Sequence, residues 1–282
     1  MEPFEKVEKD NLPALFLLSP WTENFAGLSA GMSTRCGGVS RGSWAELNCG
    51  LHVDDLPEHV LQNREILAMA AGFPFSAWTC AEQVHGNEVA VVSEAEKGAG
   101  KDSLETAIKG KDALVTKEEG IVLTALFADC VPLYFFDPHE RVIGLAHAGW
   151  KGTVREIAVR TIEVMNSRFG CQPRNILAAI GPSIGGCCYE ADERVIREVI
   201  KLFPGQAETG EMPAGVTQKE NGRFLLDLKE INRQIMIKAG ILPTHIEVSK
   251  WCTGCHPELF FSHRKQNGRT GRMVSWIGLE KR

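Results

Sequence analysis

Residues 124–153 read TALFADCVPLYFFDPHERVIGLAHAGWKGT. Two apolar runs, Ile121 to Ala128 and Val131 to Phe136, flank Ala128-Asp129-Cys130, and a third, Val142 to Ala146, leads into His147-Ala148-Gly149-Trp150. Runs this short, rich in Val, Leu and Phe, predict buried strands. Strand ends hold reactive side chains on a stiff scaffold, so Cys130 and His147 are expected at neighbouring strand termini. Upstream, Gln83-Val84-His85-Gly86-Asn87 places a second histidine just before another strand-like run, Val89 to Val92. Two imidazoles and a thiolate form a three-ligand set with an open fourth position, the catalytic type of zinc site. Taken singly, each residue has an ordinary alternative. A buried cysteine is a small hydrophobe, and a histidine can serve a local hydrogen bond.

Outward from this stretch, Ala26 to Arg35 predicts a strand ending at Arg35-Cys36-Gly37-Gly38, where the glycines permit a tight loop. Asp54-Asp55-Leu56-Pro57 reads as an acidic cap and first-turn proline opening a helix over Glu58 to Ala71, closed by Gly72. Residues 94–111 read as loop or short helix, and Asp112 to Thr116 as a strand. Further helices are expected over Thr153 to Phe169, Ala191 to Phe203 and Leu226 to Ala239, with Pro204 to Gly222 a loop. Residues 1–20 read as an entry strand and loop. Asn175 to Ile180, His245 to Ser249 and Arg272 to Ile277 complete the strands. Adjacent strands at 121–146 with no helix between them favour a mixed-sheet α/β or α+β fold over a regular Rossmann order. Without a low-complexity linker or a clear repeat, residues 1–282 read as one compact domain.

The chain is 44% hydrophobic and 24% charged, with a formal net charge of −5, which argues against a general nucleic-acid binder. No apolar stretch approaches the ~20 residues that span a bilayer. The nine cysteines are scattered rather than framed, and the start of the chain does not read as a secretory signal. A reduced, cytoplasmic setting is therefore expected. Oligomeric state, monomer or homodimer, is not readable. Cys252-Thr-Gly-Cys255-His256 matches the CxxCH haem-attachment pattern, which normally accompanies export. A structural zinc there would need a second ligand pair, and Cys187-Cys188, adjacent rather than spaced, reads as a poor one. Free thiols near a turn are expected.

Several motifs agree on a resemblance. Ser33 to Ser40 (STRCGGVS), Gln83 to Gly86 (QVHG), Ala128 to Pro132 (ADCVP), His147 to Gly152 (HAGWKG), Gly181 to Gly185 (GPSIG), Phe261 to Arg264 (FSHR) and Thr270 to Arg272 (TGR) resemble the YfiH/laccase-domain family of bacterial proteins. That family is also described as polyphenol oxidases, peptidoglycan editing factors or purine nucleoside phosphorylases. The resemblance implies a layered α/β/α fold with mixed sheets, similar to cytotoxic-necrotizing-factor deamidases. It implies zinc on His85, Cys130 and His147, and a cytoplasmic enzyme acting on purine nucleosides. The implied reactions are phosphorolysis of adenosine, inosine, guanosine and methylthioadenosine with inorganic phosphate, and deamination of adenosine to inosine. Lys151 and His263 stand where the family commonly has Arg and Tyr.

Asp129 and Glu82 are the acid/base candidates, though Asp129, next to Cys130, is expected to face the other way along the strand. Arg35, beside Gly37 and Gly38, is the first candidate for the phosphate, with Arg264 second and Arg272 a further one; a guanidinium and backbone N–H groups suit an anion. Three rival readings remain open from the residues. They are a copper-dependent phenol oxidase, a thiol hydrolase with Cys130 as nucleophile and His147 as base, and a non-catalytic nucleotide binder.

Overall fold

The computed structural model describes residues 1–281 except 9, 11 and 206–210. Six strands form a first sheet: β1 (Phe4–Val7), β2 (Leu15–Leu18), β3 (Leu28–Ser33), β4 (Trp78–Cys80), β7 (Val122–Phe127) and β15 (Met273–Leu279), in the order β1-β2-β3-β15-β7-β4. A second has β5 (Val89–Val91), β6 (Ala113–Thr116), β8 (Val131–Asp137), β9 (Val142–Ala148), β10 (Leu177–Ile180) and β14 (Ile246–Val248), in the order β14-β10-β8-β9-β6-β5. Both sheets are mixed, since β4 runs parallel to β7, β5 to β6 and β10 to β14, while the other pairs are antiparallel. A small third sheet joins β11 (Glu190–Ala191), β13 (Phe224–Leu226) and β12 (Val216–Gln218).

Strand alternation explains the layering. In β7, Leu123, Ala125 and Phe127 face a core shared with Tyr134, Phe136, Ile143 and Leu145 of the second sheet. Val122 and Leu126 face the opposite way, into a cluster with Leu67 and Ala70 of the helix Pro57–Ala71. In β8, Val131, Leu133 and Phe135 pack toward the helices Ile157–Phe169 and Leu228–Lys238. Side chains two apart share a face, so strands buried on both sides read as continuous apolar runs. The mixed-sheet α/β class is as expected, and the central β layer is double: two sheets pack face to face with helices outside each.

Three details differ from the sequence reading. The helix expected from Thr153 is two pieces, Trp150–Val154 and Ile157–Phe169. Glu156 breaks it by adopting a left-handed conformation, φ +57°, which interrupts the helical ladder. The acidic cap is absent at Pro57, because Asp55 instead accepts from Ser40 Oγ (2.6 Å) and Asn48 Nδ2 (2.8 Å). The loop expected over 204–222 falls partly on 206–210, outside the described residues; its remainder contains β12.

The two sheets share a direct polar tie. The fully buried Tyr134 of β8 donates its hydroxyl to the carbonyl of Gly31 in β3 at 2.8 Å. Tyr134→Phe keeps the ring and removes the donor, so it should cost about 1–2 kcal/mol, measurable by urea unfolding. An unchanged midpoint would show that the tie contributes nothing.

Candidate metal centre

The centre is organised by a carboxylate that sequence reading left inside a strand. Asp112 is 3% exposed and sits at the start of β6. Its oxygens accept from the backbone N–H groups of Val84 (3.2 Å), His85 (2.9 Å) and Gly86 (2.6 Å), and so fold the 84–86 segment around themselves. Asp112 Oδ1 also accepts from His147 Nδ1 at 2.9 Å, while the Asp112 carbonyl accepts from His147 N–H at 2.7 Å. One residue thus positions both histidines. The Nδ1 bond leaves His147 Nε2 for a ligand, an arrangement found around metal-bound imidazoles. Burial opposes ionisation of Asp112, and the bonds from His147 and Gly86 overcome it, holding the carboxyl below its ordinary range.

His85 occupies the left-handed region, φ +57°, in the connection that carries the chain from β4 in one sheet to β5 in the other. Cys130 lies on a second such connection. β7 ends at Phe127, β8 starts at Val131, and Asp129 makes the turn with φ +82°, a conformation aspartate tolerates better than most residues. Cys130 Sγ stands 3.9 Å from His85 Nε2. The His85 and His147 rings meet edge to face, centroids 4.7 Å apart. The donor atoms of His85, Cys130 and His147 all lie within 4.8 Å of one another. Burial alone would push the Cys130 thiol up; the His147 and His85 imidazoles reverse that and draw it well below its ordinary value. His147 moves upward in turn, because Cys130 and Asp112 outweigh its burial.

The space between the ligands is kept open by Gly149. A Cβ there would stand 3.0 Å from Cys130 Sγ and 3.1 Å from His85 Cδ2. Two nitrogens, one polarised sulfur and a cradle that a methyl group would fill suit a single ion with an open coordination position.

The three ligands open on a cavity of about 620 Å³ whose walls include Glu82, Asp129, Tyr189, His263, Arg264 and Arg272. Arg264 lies over the Tyr189 ring, 4.9 Å from its centroid, and gives one N–H to the Glu190 carbonyl at 2.8 Å. Arg272, a further phosphate candidate from the sequence, is half-buried in the same wall. Burial lowers its pKa, against the pull of Cys130 and Asp129.

Arg35 is placed differently from the expectation, and Asp129 as expected. The Arg35 guanidinium donates to the carbonyls of Ala45 (2.6 and 3.0 Å) and Pro257 (2.9 Å) and lies over Phe261, away from the cavity walls. It braces the 33–46 loop, with three of its five N–H donors given to backbone carbonyls. Asp129 does turn from the ligands: Oδ1 accepts from Thr253 Oγ1 at 2.6 Å and Oδ2 from the Arg264 N–H at 2.7 Å.

The ligand geometry yields three expected outcomes. Asp112→Asn should weaken metal binding about 10–100-fold, read by competition with a chromogenic chelator. Gly149→Ala, which crowds Cys130 Sγ and His85, should weaken binding at this centre, and unchanged affinity would show that the cradle is not where the ion sits. Zinc loading should protect Cys130 from alkylation, and alkylation undiminished by zinc would mark a nucleophilic thiol instead.

Known proteins share the chain's sequence and fold. A purine nucleoside phosphorylase, YlmD, of Geobacillus stearothermophilus is 44% identical over 254 residues, 90% of this chain and 91% of that one. The crystal structure of YlmD from the same organism superposes with a TM-score of 0.92 over 100% of both chains, at 40% identity. A hypothetical protein YfiH of Bacillus licheniformis gives 0.90 at 38% identity, covering 99% of this chain and all of the other. The profile described as multi-copper polyphenol oxidoreductase laccase matches residues 29–280, and the chain belongs to that laccase-like family, alongside the YlmD and YfiH proteins.

Proposed function

We propose that the chain is a zinc-dependent purine nucleoside phosphorylase that also deaminates adenosine. The observation that carries this reading is the His85–Cys130–His147 cluster opening on a cavity of about 620 Å³ with Arg264 and Arg272 in its wall. The relatives named purine nucleoside phosphorylase support the substrate class. Adenosine, inosine, guanosine and methylthioadenosine are the proposed nucleosides, with inorganic phosphate as co-substrate.

In phosphorolysis a phosphate oxygen bonds to C1′ of the ribose while the bond from C1′ to the base nitrogen breaks, and the bond pair leaves with the base. The chain must therefore hold a phosphate beneath C1′ and protect the reaction from water. Arg264 takes the phosphate, with Arg272 alongside. Guanidinium groups suit phosphate because their N–H donors match its oxygens in pairs. Tyr189, pinned under Arg264, gives the base a flat apolar surface. The Asp129 carboxylate grips the Arg264 N–H and so sets where that arginine emerges. Glu82, exposed at the cavity wall, is the proton carrier of this reading, since both Asp129 oxygens are committed. In deamination, water replaces the C6 amino group, which leaves as ammonia. Zinc on the three ligands would supply Lewis acidity and lower the pKa of water toward about 7.

Base release should therefore depend on phosphate, and deamination should not. Purified protein with each nucleoside, with and without phosphate, followed by chromatography of the products, decides this. Base released equally without phosphate would make the protein a hydrolase. Removing a charged contact to an anion costs about 1.5–3 kcal/mol, so Arg264→Ala should raise the phosphate KM about ten- to a hundred-fold. Deamination should be largely retained. Arg35→Ala should lower the melting temperature and leave the phosphate dependence in place.

A further inference from the structure

Sequence spacing made Cys187-Cys188 a poor partner for Cys252 and Cys255, and the fold overturns that reading. The Sγ atoms of all four cysteines lie within 4.8 Å of one another. Cys255 Sγ is 3.5 Å from Cys187 Sγ and 3.5 Å from Cys188 Sγ. The tight 185–189 turn delivers the adjacent pair, because Cys188 N–H and Tyr189 N–H both bond the Gly185 carbonyl. A parallel bridge between Ser183 and Cys252 brings that turn against the Cys252–Cys255 turn, which is itself closed by Cys255 N–H to the Cys252 carbonyl at 3.1 Å. Adjacent residues need no spacer when one turn directs both thiols to the same point.

We propose that these four cysteines form a second metal site, a tetrathiolate holding one structural zinc ion, separate from the His85–Cys130–His147 centre. The distances fit. Zinc–sulfur bonds of about 2.3 Å in a tetrahedron put the sulfurs about 3.8 Å apart, close to the observed spacing. A disulfide would use only two of the four, and Cys255 stands equally near two candidate partners. Tetrahedral sulfur sets suit zinc or iron, and a single structural ion of this kind is ordinarily zinc. His256, the last residue of the haem-like pattern, points elsewhere: its Nδ1 is 3.1 Å from Glu258 Oε1 and its ring packs on Trp251.

The surroundings are built for sulfur and for negative charge. The Gly185 N–H donates to Cys252 Sγ at 3.2 Å. Glycines stand where side chains would crowd the sulfurs. A Cβ on Gly254 would come 2.9 Å from Cys188 Cβ, and one on Gly185 would come 3.3 Å from Cys187 Sγ. Lys229 supplies the second observation. It is 6% exposed, and its ammonium donates to the carbonyls of Ser249 (2.8 Å) and Trp251 (3.0 Å), next to Cys252. No carboxylate pairs with it among the described residues. A buried ammonium with only neutral partners is costly. Four thiolates around a divalent ion leave a net charge of about −2, which supplies the missing counter-charge.

The ion would clamp two segments of the cavity wall. One carries Ile184 and Tyr189, which line the cavity. The other carries Thr253, whose hydroxyl holds Asp129 beside Cys130. The site is thus structural, and its presence does not depend on which reaction the neighbouring centre performs.

Zinc per chain, measured by elemental analysis and native mass spectrometry on reduced protein, tests this. Wild type should carry about two zinc ions, and Cys130→Ser and the double variant Cys252→Ser/Cys255→Ser about one each. The zinc remaining in the double variant would show that it is folded. One zinc in wild type, unchanged by the double substitution, would overturn the proposal, as would iron in place of zinc. Should the double variant not accumulate, the wild type decides. Cys187 and Cys255 are exposed yet should resist alkylation until a strong chelator strips the metal. Immediate alkylation of both, or a native mass short by two hydrogens per disulfide, would overturn the proposal.

Discussion

The candidate centre depends on one buried carboxylate. Asp112 accepts four hydrogen bonds through its side chain, and each comes from the segment or ring that carries a candidate ligand. A buried carboxylate survives ionised only when such donors replace its lost hydration. That requirement ties the position of the 84–86 turn to the orientation of the His147 ring. Neither histidine can shift without unsettling the other, and Cys130 meets them from the turn between the sheets. The ligand geometry is therefore set before any ion arrives, which is what a preorganised site requires.

The double β layer explains where the centre lies. Strands β7, β8 and β9 are consecutive in the chain, yet β7 belongs to one sheet and the other two to its neighbour. The chain must cross between sheets, and Asp129 makes that crossing with a left-handed turn. The crossing interrupts backbone pairing and frees side chains to project into the cavity at the seam. Thr253 and the Arg264 N–H close on the Asp129 carboxylate from segments far away in sequence, so the turn is held from outside as well.

Most of the strand layer was legible in the sequence, because strands buried on both faces appear as uninterrupted apolar runs such as 121–128 and 131–136. The His85, Cys130 and His147 grouping was legible through motifs rather than spacing, since the three residues meet only when two sheets pack. Asp112 was not: it opens a short strand, and nothing local distinguishes it from a turn residue. Arg35 misled for the opposite reason. Its glycine-rich context suits an anion, but the same loop offered the Ala45 carbonyl, and backbone acceptors took the guanidinium. The cysteine cluster was hidden because adjacency was weighed as a fault. Whether neighbouring side chains converge depends on the turn that carries them, and of the 185–189 turn the sequence displays only the glycines Gly185 and Gly186.

The two crossings have a consequence for how this protein responds to its surroundings. His85 and Cys130 both sit on segments that pass from one sheet to the other, while His147 belongs to the second sheet alone. An ion shared by these residues would be a cross-link between layers, added to the hydrophobic seam and the Tyr134–Gly31 hydrogen bond. Its binding free energy is then available to the fold by mass action. Cohesion of the two halves becomes a function of free metal concentration, so the same polypeptide would be stiffer in a metal-replete cell and looser in a starved one.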